Sequence, residues 1–326
     1  MPMQAREQDG DMTSERRREP VKAIDVLCVG LATHDLVMTI DHHPGADEKC
    51  FASSLLSCGG GPAANAAVTV SRLAGRSAFA GCLGRDVFGD EHHRELLSER
   101  VDTGWVVRRA EPTPLSVILV KPDGNRSVAC YKSATAPLKI SDINPAEHNP
   151  LTMLFDGHEP TLSIALGQIA RRRGIPTVLD AGSVHQGTVE LLPHTDYLVA
   201  SATFARQFTG QSNMQAAAEI LSRHAPFVVV TLGGQGLIWR LGAQRGKMPA
   251  FRVEAVDTTG AGDTFHGAFA LAIARGLEFS SAMRIASAAG ALCCTRLGAR
   301  PAIPTLAELN SFLNSRGLRS LPQTRQ

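Results

Sequence analysis

Short apolar runs alternate with stretches of helical spacing along most of the 326-residue chain, and that alternation sets the class of fold. The run IDVLCVGL over 24–31 predicts a buried first strand, opening at Thr33, His34 and Asp35 into a loop whose polar groups lie where such sheets meet ligands. Residues 38–56 are mixed and turn-rich around His42, His43, Pro44 and Gly45, which suits strands of a small separate sheet better than a helix. Small and apolar residues over 66–73 predict a closely packed helix, introduced by Gly59, Gly60, Gly61 and Pro62. A second buried strand follows over 78–83, then a polar helix running to Arg100. Two β-prone runs, 114–120 and 127–131, flank Asp123 and Gly124 and predict a hairpin that completes the small sheet.

Beyond Ala136 the pattern becomes regular. Strands are predicted over 151–156, 177–180, 197–200 and 227–232, with a turn-rich stretch near His185, and helices over 161–173, 215–223, 267–276, 280–292 and 306–313. This spacing implies an α/β fold: a doubly wound, mainly parallel sheet with helices on both faces and a small β-sheet lid. Asp156, Asp180, Thr231 and the turn Gly233-Gly234-Gln235-Gly236 fall at carboxyl ends of strands, the ligand edge of such sheets. The chain divides into a disordered leader over 1–22, one folded unit over 23–316 with the lid inserted from about 36–58 and 105–133, and a polar tail over 317–326. It contains no internal repeat.

Composition narrows the partners. Lys and Arg number 33 against 31 Asp and Glu, so no basic field favours nucleic acid or an anionic membrane, and small molecules are the expected ligands. No apolar run approaches the roughly 20 residues of a membrane helix. The charged first 20 residues lack the apolar segment of a secretion signal. Seven cysteines without C-x-x-C spacing fit neither a disulfide framework nor a structural zinc site, and a reducing cytoplasm suits them. The pairs His42-His43 and His92-His93 point apart on either type of element and read as surface or loop residues.

The stretch DTTGAGDTFHG over 257–267 carries the chemistry. Small residues at a helix start leave unencumbered N–H groups that attract an anion, with the helix dipole adding to the attraction. A carboxylate there, Asp263, would repel a phosphate unless it acts on a neighbouring hydroxyl, which points to a base for phosphoryl transfer. The helix N-terminus should favour its ionised form and keep it a weak base, leaving positioning as its main contribution. The alternative is an ordinary first-turn acid.

Three motifs in order, GGGPAANAAVTVSRLAG with GCLGRDVFGD, TLGGQG, and DTTGAGDTFHG, resemble the ribokinase/PfkB family of carbohydrate kinases over about 24–304. The resemblance implies ATP-dependent phosphorylation of a hydroxyl, expected to be primary, of a small sugar or sugar derivative, with ATP and Mg²⁺ and, as in several members, K⁺. It implies Asp263 as catalytic base and the N–H groups of Gly260, Ala261 and Gly262 as the anion hole. Asp35, Gly60, Gly61 and Asn65 match sugar-binding positions. Thr231, Gly233 and Gly236 match the nucleotide loop, Ser287 stands near the adenine, and Asp257 and Thr259 match backbone positions lining a monovalent-cation site. The resemblance also implies a homodimer paired through the lids.

Departures from the family pattern are informative. Ser201 and Phe204 stand where many members have the N-x-x-E motif that organises magnesium, and His266 replaces a more usual Asn. In its glycine run, FHGA and CTRLGARPAIP the chain is most similar to the sulfofructose kinase branch, in which Lys49 would face an anionic substrate; His158 and Cys130 depart from that branch. Candidate acceptors are sulfofructose, fructose or another ketose, and ribose. A nucleoside kinase of the same family and a catalytically weak sugar or nucleotide sensor remain the alternatives. A dinucleotide oxidoreductase lacks its G-x-G-x-x-G after the first strand, and no G-x-x-x-x-G-K-[ST] is present.

Overall fold

The computed structural model describes residues 22–133 and 135–322. The predicted leader, short of Lys22, and the last four residues of the predicted tail lie outside the described residues. The strands are β1 (Lys22–Val29), β2 (Thr33–Thr39), β3 (Ser54–Gly60), β4 (Ser77–Gly84), β5 (Asp102–Arg109), β6 (Leu115–Val120), β7 (Arg126–Tyr131), β8 (His148–Phe155), β9 (Thr177–Ala181), β10 (Tyr197–Ser201), β11 (Phe227–Thr231), β12 (Leu237–Leu241) and β13 (Gln244–Met248). The helices are α1 (Pro62–Arg72), α2 (Val87–Ser98), α3 (Pro160–Arg173), α4 (Gln186–Leu191), α5 (Ala202–Thr209), α6 (Met214–Leu221), α7 (Ala261–Ala274), α8 (Phe279–Cys293), α9 (Ala299–Ala302) and α10 (Leu306–Asn314).

The large sheet runs β13-β12-β11-β10-β9-β8-β1-β4-β5, parallel from β11 to β5 and antiparallel in its last two strands. Parallel strands buried on both faces need apolar side chains on both, and β1 shows it. Val26 and Cys28 enter the core shared with α1, α7 and α8, while Leu27 and Val29 enter the core shared with α3, α5 and α6. The second sheet, β3-β2-β6-β7, has only a small core of its own, Val37, Ile118 and Val120 with Leu56 and Leu297 against them.

Several elements differ from the sequence reading. Asp35 lies on β2, which begins at Thr33, and not in a loop. Residues 105–109, assigned to the lid, belong to β5 and pair with β4 in the large sheet, because Trp105 is buried in that sheet's core. The stretch near His185 holds α4, and Ser201 starts an unpredicted α5 by accepting a hydrogen bond from the Phe204 amide. The hairpin β12–β13 was also missed, since its second strand, QRGKM, has no apolar alternation. Helix α7 begins at Ala261, six residues before the predicted start, because the phosphate-type turn is itself the first turn of the helix.

Helices α1 and α7 pack against each other unusually closely. A Cβ at Gly267 would stand 2.5 Å from the Ala66 carbonyl oxygen and 2.8 Å from the Thr69 Cβ. Only hydrogen fits there, and the close approach carries Asn65 on α1 to the first turn of α7.

Candidate active site

Gly260 caps α7 with φ 75°, a left-handed conformation that a side chain would strain. The preceding loop is tied down by Asp257, one carboxylate oxygen accepting from the Thr259 amide (2.9 Å) and hydroxyl (2.7 Å), the other from the Gly298 amide (2.8 Å). The Ala261 amide makes a 3.3 Å bond to the Thr258 carbonyl, and no atom lies within 4 Å of the place a Cβ would take on Gly262. The helix start thus opens onto unfilled space, as a phosphate site requires.

Asp263 follows in the same turn. Its Oδ2 accepts from the Asn65 amide at 2.8 Å. Burial holds its carboxyl above the usual carboxylate range, opposed by the Asn65 hydrogen bond and the neighbouring His266. The expectation of a weak base is corrected here: desolvation outweighs the helix terminus. Asp35 is buried as well, raised for the same reason, with the Thr33 hydroxyl donating to it at 2.8 Å; the charges of Asp35 and Asp263 disfavour each other. A Cβ on Gly60 would stand 2.1 Å from the Asp35 carboxylate, so a glycine is needed for that side chain to lie against β3. Asp35, Gly60, Gly61, Asn65 and Asp263 are thereby brought to one place.

Asp156 and Asp180, at strand ends predicted to supply ligand groups, make contacts within the protein. Asp156 accepts from the amides of Leu31 (2.8 Å), Ala63 (3.2 Å) and His158 (2.9 Å), so it fastens the loop after β1 to the start of α1. Asp180, its carboxyl raised by burial with the nearby His266 opposing, lies 3.3 Å from His266 Nδ1. His266 also reaches the Gly262 carbonyl at 2.6 Å and the Val199 carbonyl at 3.2 Å, locking the first turn of α7 to β10. His266 thus packs the helix start against the sheet.

On the other side of the turn lies a cavity of about 530 Å³, lined by Thr231, Gly233, Gly236, Phe251, Gly262 and Ser287 among others. The four predicted nucleotide-side residues therefore face one space that also touches the helix start. Its volume and mainly apolar lining suit a purine nucleotide whose phosphates point to Gly262. Lys49 is not part of either cluster's hydrogen bonding: it lies on the exposed loop before β3, its ammonium 5.0 Å from the centre of the Phe51 ring. Ser201 is the cap of α5 and donates to the Gly182 carbonyl, and Phe204 is fully buried, so neither supplies a metal ligand. Among the described residues no three His, Cys, Asp or Glu side chains are grouped to hold a metal.

Three residues at the site escaped the sequence reading. Arg126, at the start of β7, donates to the Thr258 hydroxyl and so carries a cation from the small sheet to the turn before α7. Arg300, on α9, is 1% exposed and donates to Asn65 Oδ1 at 3.0 Å. His92, expected at the surface, is fully buried with its Nε2 3.1 Å from Arg300 Nη2. An exposed cation at a hairpin turn and an arginine in a short C-terminal helix carry no local signal of their long-range partners.

A buried carboxyl at a helix start, between a polar pocket and a nucleotide-sized cavity on a doubly wound sheet, defines a phosphoryl-transfer class of protein. The pattern of the pfkB family of carbohydrate kinases matches residues 23–306, and the chain belongs to that family. The chain is 30% identical over 305 residues to the ribokinase of Haemophilus influenzae, covering 90% of this chain and 98% of that one. Among solved structures it is similar to the ribokinase of Thermotoga maritima (27% identity, TM-score 0.74, covering 89% of this chain and 99% of that one). It is also similar to the ribokinase of Arabidopsis thaliana complexed with ribose and ATP (25% identity, TM-score 0.74, covering 89% and 99%). The protein is therefore a carbohydrate kinase, and no described helix is long and apolar enough to cross a membrane.

Proposed function

We propose that the protein transfers the γ-phosphoryl group of ATP to a hydroxyl, primary in the simplest reading, of a small neutral sugar bound at Asp35, Gly60, Gly61 and Asn65. The observation that carries this reading is the position of Asp263, hydrogen-bonded to Asn65 beside Asp35 on one side and one residue from Gly262, at the cavity wall, on the other. Asp263 accepts the proton of the sugar hydroxyl as the new O–P bond forms and the β–γ bridging bond breaks, releasing ADP. The N–H groups of Gly260, Ala261 and Gly262 and the Arg126 guanidinium meet the charge on the transferred group.

A carboxyl raised above its usual range suits a base better than a strongly acidic one does. Magnesium would come with ATP and be held by its phosphates and water, since Ser201 and Phe204 offer no ligand. Potassium would be held by the backbone carbonyls of Asp257 and Thr259, since the Asp257 carboxylate already accepts from Thr259 and Gly298. The exposed position of Lys49 supports a neutral sugar such as ribose or fructose over sulfofructose. The exposed apolar residues of the small sheet and its approach, Phe51, Leu55, Val128 and Tyr131, support pairing of two copies through that sheet, and the reducing cytoplasm suits its seven free cysteines. ADP release measured across ribose, deoxyribose, fructose, sulfofructose, fructose phosphates and nucleosides tests the reading. It predicts sugar-dependent ADP formation with a neutral pentose or ketose, and a chain that releases ADP with none of them is not the kinase described.

A further inference from the structure

Arg300 is a large charged side chain in the interior, and a buried guanidinium is costly unless its donors are used. A leucine or methionine of similar volume would fill the same place without that cost. Its Nε donates to Asn65 Oδ1 at 3.0 Å, its Nη2 meets His92 Nε2 at 3.1 Å, and its Nη1 lies 3.5 Å from Glu95 Oε1. Glu95 is fixed in turn by the Gly59 amide, which donates to its other oxygen at 2.6 Å. The guanidinium is thus held from α2 through Nη2, while Nη1 is buried without a hydrogen bond and keeps only the longer ion pair to Glu95.

An asparagine amide has an acceptor end and a donor end of nearly equal shape, and its neighbours decide which way it points. Asn65 lies between Arg300, which can only donate, and Asp263, which can only accept while ionised. The two constraints agree before reaction. They part once Asp263 has taken the hydroxyl proton, because a protonated carboxyl can donate, and an Asn65 free to turn would then present its oxygen and hold the proton in place. Arg300 keeps its demand for the oxygen unchanged throughout.

We propose that Arg300 is a positioning residue for phosphoryl transfer, which fixes the Asn65 amide so that its NH₂ faces Asp263 and the sugar through the whole cycle. The inference rests on the reading of Asp263 as the base. It concerns this chain's own α9 residue, whose charge also favours ionised Asp35, and its action on Asp263 runs through Asn65.

The test is a double-mutant cycle with Arg300→Met and Asn65→Ala, assayed with whichever of ribose, fructose and sulfofructose the wild type phosphorylates fastest. Arg300→Met lowers kcat by about ten- to a hundredfold, the cost of a catalytic group misplaced by about 1 Å, while KM for ATP stays within about twofold. In the Asn65→Ala background the same substitution changes kcat less than about threefold. Arg300→Lys, still a pure donor, recovers most of the loss. Equal losses in both backgrounds, or no loss from Arg300→Met, overturn the proposal. Arg300→Gln runs the same cycle if the methionine variant does not fold. If the wild type turns over none of the sugars, the reading of the site has failed and not yet this inference. The cycle is then read from urea unfolding midpoints of the same four proteins, in which coupled residues shift non-additively and additive shifts refute the contact.

Discussion

Glycine to alanine inside a helix normally stabilises it, by about 1 kcal/mol. At Gly267 the structure predicts the reverse. The added Cβ would stand 2.5 Å from the Ala66 carbonyl oxygen, where ordinary contact begins at 3.4 Å, so α1 and α7 must separate by about 0.9 Å. The obstructing atoms are backbone and a β-carbon, which cannot rotate away. Overpacking of this kind costs about 1–3 kcal/mol, which exceeds the propensity gain. The same separation stretches the 2.8 Å bond between Asn65 and Asp263, one turn before Gly267 on α7, beyond hydrogen-bond length. Loss of about 1 Å in placement corresponds to about a hundredfold in kcat. Thermal unfolding and steady-state kinetics of Gly267→Ala should therefore show a lower melting temperature together with a kcat reduced by one to two orders of magnitude. A variant as stable and as active as the wild type would refute the claim that helix spacing sets the catalytic geometry.

Other consequences follow from the same contacts. The acid limb of kcat should lie above the ordinary carboxylate range, because Asp263 must be ionised and burial raises its carboxyl, and Asn65→Ala should move the limb further up by removing a hydrogen bond to the charged form; a limb unmoved by Asn65→Ala in a pH-rate profile counts against that assignment. Asp35→Asn should raise KM for the sugar by about a hundredfold while leaving KM for ATP nearly unchanged. For stability the sign is also fixed: a carboxyl raised on folding favours the protonated state, so its contribution is present at acid pH and lost as pH rises through its folded pKa. Asp35→Asn should therefore gain stability relative to wild type from acid to neutral pH in urea titrations, and a constant difference would contradict the burial account. Ser287→Trp, which fills the cavity from α8, should weaken ATP at least tenfold without changing KM for the sugar; an equal effect on both substrates would show that the cavity is not the nucleotide site.

The fold was largely legible because the strands of the large sheet are short apolar runs separated by helices, and because GAGD and GGGPAAN are local signals. Asp263 and Asn65 stand within those motifs and meet through a hydrogen bond, whereas Ser287 came only from the family resemblance. What could not be read depends on contacts across the sequence. Arg300 meets Asn65 from 235 positions away, and Arg126 meets Thr258 from 132. His92 was read as a surface or loop residue because adjacent histidines point apart, yet it is buried against Arg300. The raised carboxyl of Asp263 also needed the structure, since a sequence shows the helix start but not the burial that outweighs it. Trp105 moved a predicted lid segment into the large sheet for a similar reason: burial decided its partner.

The most direct measurement of the central claim is sugar-dependent ADP release by Asp263→Asn beside the wild type, with circular dichroism to show that both are folded. The amide keeps the shape of the side chain and removes the base. The account predicts turnover lower by about two to four orders of magnitude with KM for ATP little changed. Turnover within a few fold of wild type in a folded protein would contradict it.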